Sequence, residues 1–243
     1  MKDPGPQEAK LTALPTGNNK TAVVAKMFDS IAGRYEAINR IVTFGIDKRW
    51  RLQTVRHMSL KPQATVVDLA AGTGDFCRML QQANVAPIAI DLSAGMLKVA
   101  VNKQTPENSY PVLQADAANL PIADKSIDGI TCGFGIRNFS DLESCFAEMA
   151  RVCRPGARIG LLEACEPRGT LFKTLHKVWM HWTVPKIGAI LSSAFAYDYL
   201  PKSLAYLPPG DELIAMLERA GFVDVEIRLL TFQAAQLLTA TKK

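Results

Sequence analysis

The chain has 243 residues, 48% hydrophobic and 21% charged. That balance excludes wholesale disorder, and the length suits one large domain with an appendage. Against 23 Asp and Glu stand 28 Lys and Arg, a net charge of +5; this mild excess permits anionic ligands or a membrane surface without requiring nucleic acid.

Five cysteines, Cys77, Cys132, Cys145, Cys153 and Cys165, form no C-x-x-C pair. They argue against a zinc site or a disulfide framework and for a reducing, cytosolic compartment. Residues 1–20, rich in Lys, Pro, Gly and Asn, read as a disordered leader with no apolar signal region. Residues 21–60 read as a helical cap. Within it, Val23–Tyr35 places Val24, Met27, Phe28 and Ile31 on one helical face, and Asp47–Met58 aligns Trp50, Thr54 and Met58.

From Lys61 short apolar runs alternate with helical segments, and residues 61–243 read as the main domain. Strands are expected over 65–69, 85–90, 110–114, 127–134 and 157–163. Helices are expected over 76–84, from a Ser93 N-cap to about 103, and over 142–153, the last ended by a turn at Arg154-Pro155-Gly156. This pattern predicts an α/β fold with a doubly wound, mostly parallel, Rossmann-like sheet. A helical insertion over about 167–210 interrupts it. Helix 211–220, closed by Gly221, then leads to strands 223–230 and 236–240, expected as a C-terminal antiparallel hairpin at the sheet edge.

The most informative stretch is Asp68-Leu69-Ala70-Ala71-Gly72-Thr73-Gly74-Asp75, between the first strand and its helix. Gly72 and Gly74 let backbone approach a ligand closely. Cys77 and Arg78 stand where a dinucleotide fingerprint would place its third glycine, which disfavours a pyrophosphate. Asp68 before the turn would repel an anion and welcome an ammonium. Asp91, at the end of the second strand, suits ribose hydroxyls, and Asp116, after the third, suits an adenine amine. Each has a plainer alternative, with Asp91 and Ser93 as helix-start chemistry and Asp116 as a turn residue. Together they imply a ligand with an amine, a ribose and an adenine but no phosphate, which describes S-adenosyl-L-methionine (SAM). Its expected wall takes in Asp68, Ala70, Gly72, Thr73, Gly74, Asp91, Leu92, Met96, Asp116, Ala117 and Gly133.

With these motifs, and with Phe28-Asp29-Ser30-Ile31-Ala32, Arg34-Tyr35, Asn39-Arg40, Asp47-Lys48-Arg49-Trp50-Arg51 and Phe134-Gly135-Ile136-Arg137-Asn138, the sequence resembles the ubiquinone/menaquinone C-methyltransferases. The resemblance runs from about Val24 to Phe222. It implies a class I SAM-dependent methyltransferase domain acting on a ring carbon of a prenylated quinol such as demethylmenaquinol. It assigns Thr73, Asp91, Asp116 and Ala117 to SAM, Tyr35, Arg137 and Asn138 to the quinol, and Tyr199 to a loop closing the substrate pocket. Departures gather on the acceptor side: Asp198 stands where the family has Arg, and Ser203-Leu204-Ala205, Pro208-Pro209-Gly210 and Ala164-Cys165-Glu166-Pro167 differ from its usual motifs. Another aromatic or polyketide-like acceptor, or a SAM-binding protein without catalysis, are the alternative readings.

On this reading Arg137, Asn138 and Tyr35 carry catalysis. A guanidinium holds its proton too firmly to be a base, so Arg137 would stabilise a developing phenolate. The plainer alternative pairs it with Asp141. The insertion Gly169–Phe195 combines Trp179, Trp182 and Phe195 with Lys173, Lys177 and Lys186. It reads either as a peripheral membrane face or as a helix packed on the domain or at a homodimer interface. A basic stripe interleaved with aromatics is missing, so no nucleic acid partner is expected, and no metal.

Overall fold

The structure, a computed structural model, describes Pro15, residues 18–165, Tyr199 and residues 202–243. Three helices open it, α1 (Asn18–Ile31), α2 (Tyr35–Val42) and α3 (Asp47–Met58). They are followed by β1 (Thr65–Leu69), α4 (Asp75–Gln82), β2 (Ala86–Asp91), α5 (Ala94–Asn102), β3 (Val112–Gln114), β4 (Ile127–Gly133), α6 (Leu142–Val152) and β5 (Cys153–Ala164). The chain closes with α7 (Gly210–Arg219), β6 (Phe222–Leu230) and β7 (Ala235–Lys242).

The strands form one sheet in the order β3-β2-β1-β4-β5-β7-β6. Strands β1 to β5 pair in parallel, and β7 runs antiparallel between β5 and β6. The expected doubly wound sheet and its antiparallel hairpin are both present. Strand order reverses at β1 and β4, which opens a crevice beyond their carboxyl ends.

Alternation along the strands divides the core between two faces. Val67, Leu69, Ile130 and Leu161 pack with Phe146 and Met149 of α6 and Leu213 and Leu217 of α7. Val66 and Leu162 pack on the opposite face with Trp50 and Val55 of α3 and Phe76 and Leu80 of α4. A sheet covered on both faces needs apolar residues at successive positions, and all but the first residue of Thr65-Val66-Val67-Asp68-Leu69 are buried. A smaller cluster of Val24, Met27, Ile31, Ile38 and Tyr199 seats α1 against Met96 of α5.

Several expectations shift. Helix α1 begins at Asn18, inside the expected leader, and Lys20 is buried. Helix α2 was not expected; its eight residues bury only Ile38, too little to make a visible period. The turn expected at Arg154-Pro155-Gly156 is a bulge within β5: pairing jumps from Ile127↔Cys153 to Gly129↔Arg158, and Gly156 has φ of +82°. The insertion over 167–210 lies outside the described residues except for Tyr199 and 202–210. Of the cysteines, Cys77, Cys132, Cys145 and Cys153 are buried, as small apolar fillers.

Helix α3 approaches β5 at Gly160, where a Cβ would stand 2.7 Å from Thr54 Cγ2 and 2.8 Å from Met58 Sδ. Substituting Gly160→Ala overpacks this seam and should cost about 1–3 kcal/mol. Thermal unfolding should register a fall of roughly 2–4 °C per kcal/mol; an unchanged midpoint would show that α3 can retreat from the sheet.

Candidate active site

A cleft with about 770 Å³ of empty space, its open mouth included, lies beyond the carboxyl ends of β1, β2, β3 and β4. Its floor comes from the strand ends and the turns that follow: Ala70 and Gly72 after β1, Asp91 at the end of β2 with Leu92 after it, Asp116 and Ala117 after β3, and Gly133 at the end of β4. Met96, Tyr35, Asn138 and, from α1, Thr21, Val24, Ala25 and Phe28 complete the wall.

The turn after β1 is tightly wound. Ala70, Gly72 and Gly74 all have positive φ, and Gly74 caps α4 with φ of +82°. A Cβ at Gly74 would collide with the Tyr110 hydroxyl, so glycine is required there twice over.

Asp91 locks this turn to the next. Its Oδ2 accepts from Gly72 N–H at 2.8 Å, and its Oδ1 accepts from Ser93 N–H at 2.8 Å. Burial pushes the carboxyl above its usual range, against the pull of these N–H groups. Ser93 caps α5 as expected, accepting from Met96 N–H at 3.1 Å. Its hydroxyl donates to Asp29 Oδ1 at 2.6 Å, and Gly95 N–H donates to the same oxygen at 2.8 Å. Asp29 thus ties α1 to the loop that carries Asp91. Asp116 stands two residues beyond β3, accepting from Ala118 N–H at 3.0 Å.

Other expected ligand residues face away from the cleft. Asp68 is buried against Thr131, whose hydroxyl donates to Oδ1 at 2.9 Å, and Cys77, whose thiol donates to Oδ2 at 3.6 Å. It does not line the cleft, so its expected contact with a ligand ammonium is corrected to a structural role. The Thr73 hydroxyl donates to Glu36 Oε1 at 2.6 Å rather than opening on the cleft. Glu36 also binds Lys103 and Arg78. Burial works to raise its pKa, but the hydrogen bonds from Lys103 and Thr73 with the nearby charges prevail and lower it to about 2. Helix α2 is thereby fastened to the glycine turn.

Of the residues expected to meet an acceptor, Tyr35 and Asn138 line the cleft. Tyr35 meets Phe28 edge-on, ring centroids 5.9 Å apart. Burial pushes its phenol upward in spite of the positive charges of Arg51 and Arg137, so it remains a proton donor at neutral pH. Arg137 does not line the cleft. Its Nη1 pairs with the fully buried Glu163 of β5, and its Nε donates to Ser203 Oγ at 3.2 Å. This corrects both its expected contact with the acceptor and the alternative pairing with Asp141, which instead caps α6 through Ser144 N–H. Tyr199 is buried outside the cleft lining and acts through Asn138, donating its hydroxyl to Oδ1 at 3.0 Å. The sequence pattern does not mark Lys20, Asp29, Glu36 or Glu163 as site residues. Asp29 lies inside the motif Phe28-Asp29-Ser30-Ile31-Ala32, Glu36 follows Arg34-Tyr35, and Glu163 is a carboxylate at the end of an apolar strand, which are the signals that were there to read.

Two carboxylates, Asp91 and Asp116, line the cleft, and among the described residues no Lys, Arg or His does. The described residues also contain no cluster of His, Cys, Asp and Glu able to hold a metal ion.

Sheet order, antiparallel hairpin and strand-end cleft define the class I SAM-dependent methyltransferase fold. Solved structures of that fold superpose on it: the [4+2]-cyclase SpnF with a TM-score of 0.66 at 15% identity, covering 96% of this chain and 99% of that one. A possible histamine N-methyltransferase from Thermotoga maritima gives 0.60 at 20% identity, over 90% and 99% of the two chains. The chain belongs to the ubiE/COQ5 methyltransferase family, whose model matches residues 16–242. It is 38% identical over 208 residues to the ubiquinone/menaquinone biosynthesis C-methyltransferase UbiE of Syntrophotalea carbinolica, 84% of this chain and 88% of that one. It is 35% identical over 246 residues to the demethylmenaquinone methyltransferase of Bacteroides fragilis, 98% and 99% of the two chains.

Burial raises the Asp68 carboxyl from 3.8 to about 7. A folded-state pKa above the unfolded one means that its stabilising effect is complete below about pH 4 and is lost as pH rises through about 7. The melting temperature of Asp68→Asn relative to the parent should therefore rise between pH 5 and pH 8. A constant difference would show that Asp68 is ionised throughout.

Proposed function

We propose that the protein transfers a methyl group from SAM to a ring carbon of a prenylated quinol, as the names of its demethylmenaquinone methyltransferase relatives suggest. The observation that carries the donor half is the charge of the cleft. Two carboxylates and no cation suit a ligand that carries positive charge and hydroxyls and no phosphate. Asp91 would receive the ribose hydroxyls, Asp116 the adenine amine, and Leu92, Met96 and Ala117 the flat apolar surface of the base. Gly72 admits the ligand close to backbone. Thr73 and Gly74 shape that turn from behind, and Gly133 forms the floor opposite. When bound, SAM supplies an electrophilic methyl on a sulfonium.

The chain's own residues have three tasks at the acceptor: to orient it, to keep it dry, and to favour its phenolate. Asn138 lines the cleft with its Oδ1 held by Tyr199 and its Nδ2 donating to Phe134 O at 3.3 Å, and the second Nδ2 proton would orient the quinol oxygen. Tyr35, held as a neutral phenol, would donate a hydrogen bond to a developing oxyanion. Arg137 is a positioning residue in this reading. Its charge is neutralised by Glu163, and it anchors the segment from Ser203 that borders the acceptor side. With SAM bound there, its methyl would pass from sulfur to the ring carbon, leaving S-adenosylhomocysteine, and the ring proton would leave to solvent.

A prenylated acceptor resides in lipid, so the protein would work at a bilayer surface. No helix among the described residues is long and apolar enough to cross a membrane. The aromatic and basic segment expected to bind that surface or a second copy, Gly169–Phe195, lies outside the described residues. A different aromatic acceptor is the second reading, favoured by Leu204 and Ala205 standing where the family's substrate loop differs.

Asp91→Ala should weaken SAM binding by about 100-fold or more, since two hydrogen bonds to a charged group at about 1.5 kcal/mol each are lost. Titration calorimetry would read this, and undiminished affinity would move the donor elsewhere. A methyl-transfer assay with labelled SAM and reduced demethylmenaquinone in detergent tests the acceptor. C-methylated menaquinone is the expected product, and transfer only to soluble aromatics would favour the second reading.

A further inference from the structure

Lys20 is 5% exposed, a rare position for lysine. Its Nζ donates to the carbonyl oxygen of Arg137 at 3.0 Å and to that of Phe139 at 2.7 Å. It also stands 3.7 Å from the centroid of the Tyr206 ring. A desolvated ammonium has three protons to place, and two carbonyls and a ring face supply this one with partners. Among the described residues none of these partners is a carboxylate. Burial lowers the Lys20 pKa to about 8, so this placement works against the charge it uses.

The two carbonyls belong to the residues on either side of Asn138. One ammonium therefore holds the peptide leaving Arg137 and the peptide leaving Phe139. Within the turn Ile136–Asn138, the Asn138 N–H bonds to Gly135 O at 2.9 Å and the Phe139 N–H to Ile136 O at 3.2 Å. Tyr199 holds the Asn138 side-chain oxygen. The backbone of Asn138 is thus fixed from α1, and its side chain by Tyr199 at Oδ1 and by the Phe134 carbonyl, to which Nδ2 donates at 3.3 Å. The next residue of α1, Thr21, lines the same cleft as Asn138, and its hydroxyl donates to Ser140 Oγ at 3.2 Å.

We propose that Lys20 is the positioning residue for Asn138: by gripping the carbonyls on both sides, it holds the Asn138 amide toward the acceptor end of the cleft. This rests on the reading that Asn138 meets the acceptor. Lys20 makes no contact with the reaction itself. It acts through one neighbour, and its loss should therefore be felt in acceptor turnover and not in donor affinity.

The test compares the full chain with Lys20→Met, Asn138→Ala and the double variant. Turnover is measured with SAM and reduced demethylmenaquinone in detergent, S-adenosylhomocysteine affinity by calorimetry, and amide exchange of residues 136–140 by mass spectrometry. Lys20→Met should lower kcat/KM for the acceptor on the order of 100-fold, as a small misplacement can. S-adenosylhomocysteine affinity should stay within about threefold, and the double variant should be no worse than Asn138→Ala alone, because residues acting through one another are not additive. Full turnover in Lys20→Met, or losses that multiply in the double variant, would overturn the proposal. If the parent does not methylate this acceptor, the acceptor reading falls, and exchange still decides the role of Lys20. Faster exchange at Asn138 and Phe139 in Lys20→Met supports it, and unchanged exchange overturns it. Should Lys20→Met not fold, Lys20→Gln, which keeps donors without charge, takes its place with the same expected and opposing results.

Discussion

A buried glutamate near the end of an apolar strand is a constraint that its neighbourhood must answer. Glu163 has no exposed surface, and an ion left unpaired in such a site costs several kcal/mol. Arg137 answers it with its guanidinium, and the N–H groups of Arg137 and Ala164 add to the pairing. To deliver that guanidinium, the chain leaving β4 must turn at once through Ile136–Asn138. The turn places Asn138 on the cleft wall and exposes two carbonyls that Lys20 then takes. Ser203 and Tyr199, both within the span 167–210, complete the arrangement. The cleft wall that carries Asn138 is thus assembled around a neutralised charge.

The donor side is built on other physics. There the backbone does most of the work: left-handed residues in the turn after β1, and the N–H groups of Gly72 and Ser93 on the Asp91 carboxylate. Two cap residues reinforce it from outside the sheet. Asp29 reaches from α1 to the start of α5, and Glu36 reaches from α2 to Thr73. The N-terminal helices are therefore part of the site. Helix α1 bridges its two halves, with Asp29 on the donor loop and Lys20 on the acceptor turn, and its residues between form cleft wall.

Local signals made much of this legible in the sequence. The β-α alternation, the glycine turn, Asp91 with the Ser93 cap, and the final hairpin all depend on residues close together in the chain, where periodicity and turn chemistry speak directly. What was not legible depends on distance. The partner of Arg137 lies 26 residues away and that of Lys20 lies 117 away. No pattern along the chain distinguishes Arg137 facing a quinol from Arg137 facing Glu163. Asp68 was misread for the same reason: a carboxylate ahead of a glycine turn resembles a ligand, and only the packing of Thr131 and Cys77 shows it turned inward. Lys20 was hidden by the polar composition around it.

Arg137 holds the fold around Asn138 by neutralising Glu163. Chemical denaturation of Arg137→Met and of the double variant Arg137→Met with Glu163→Gln tests it most directly. Removing one partner of a buried pair should cost about 3–5 kcal/mol, and removing the second charge should restore much of that loss. The opposite outcome, an Arg137→Met protein as stable as the parent but without turnover, would contradict the account and return Arg137 to the chemistry.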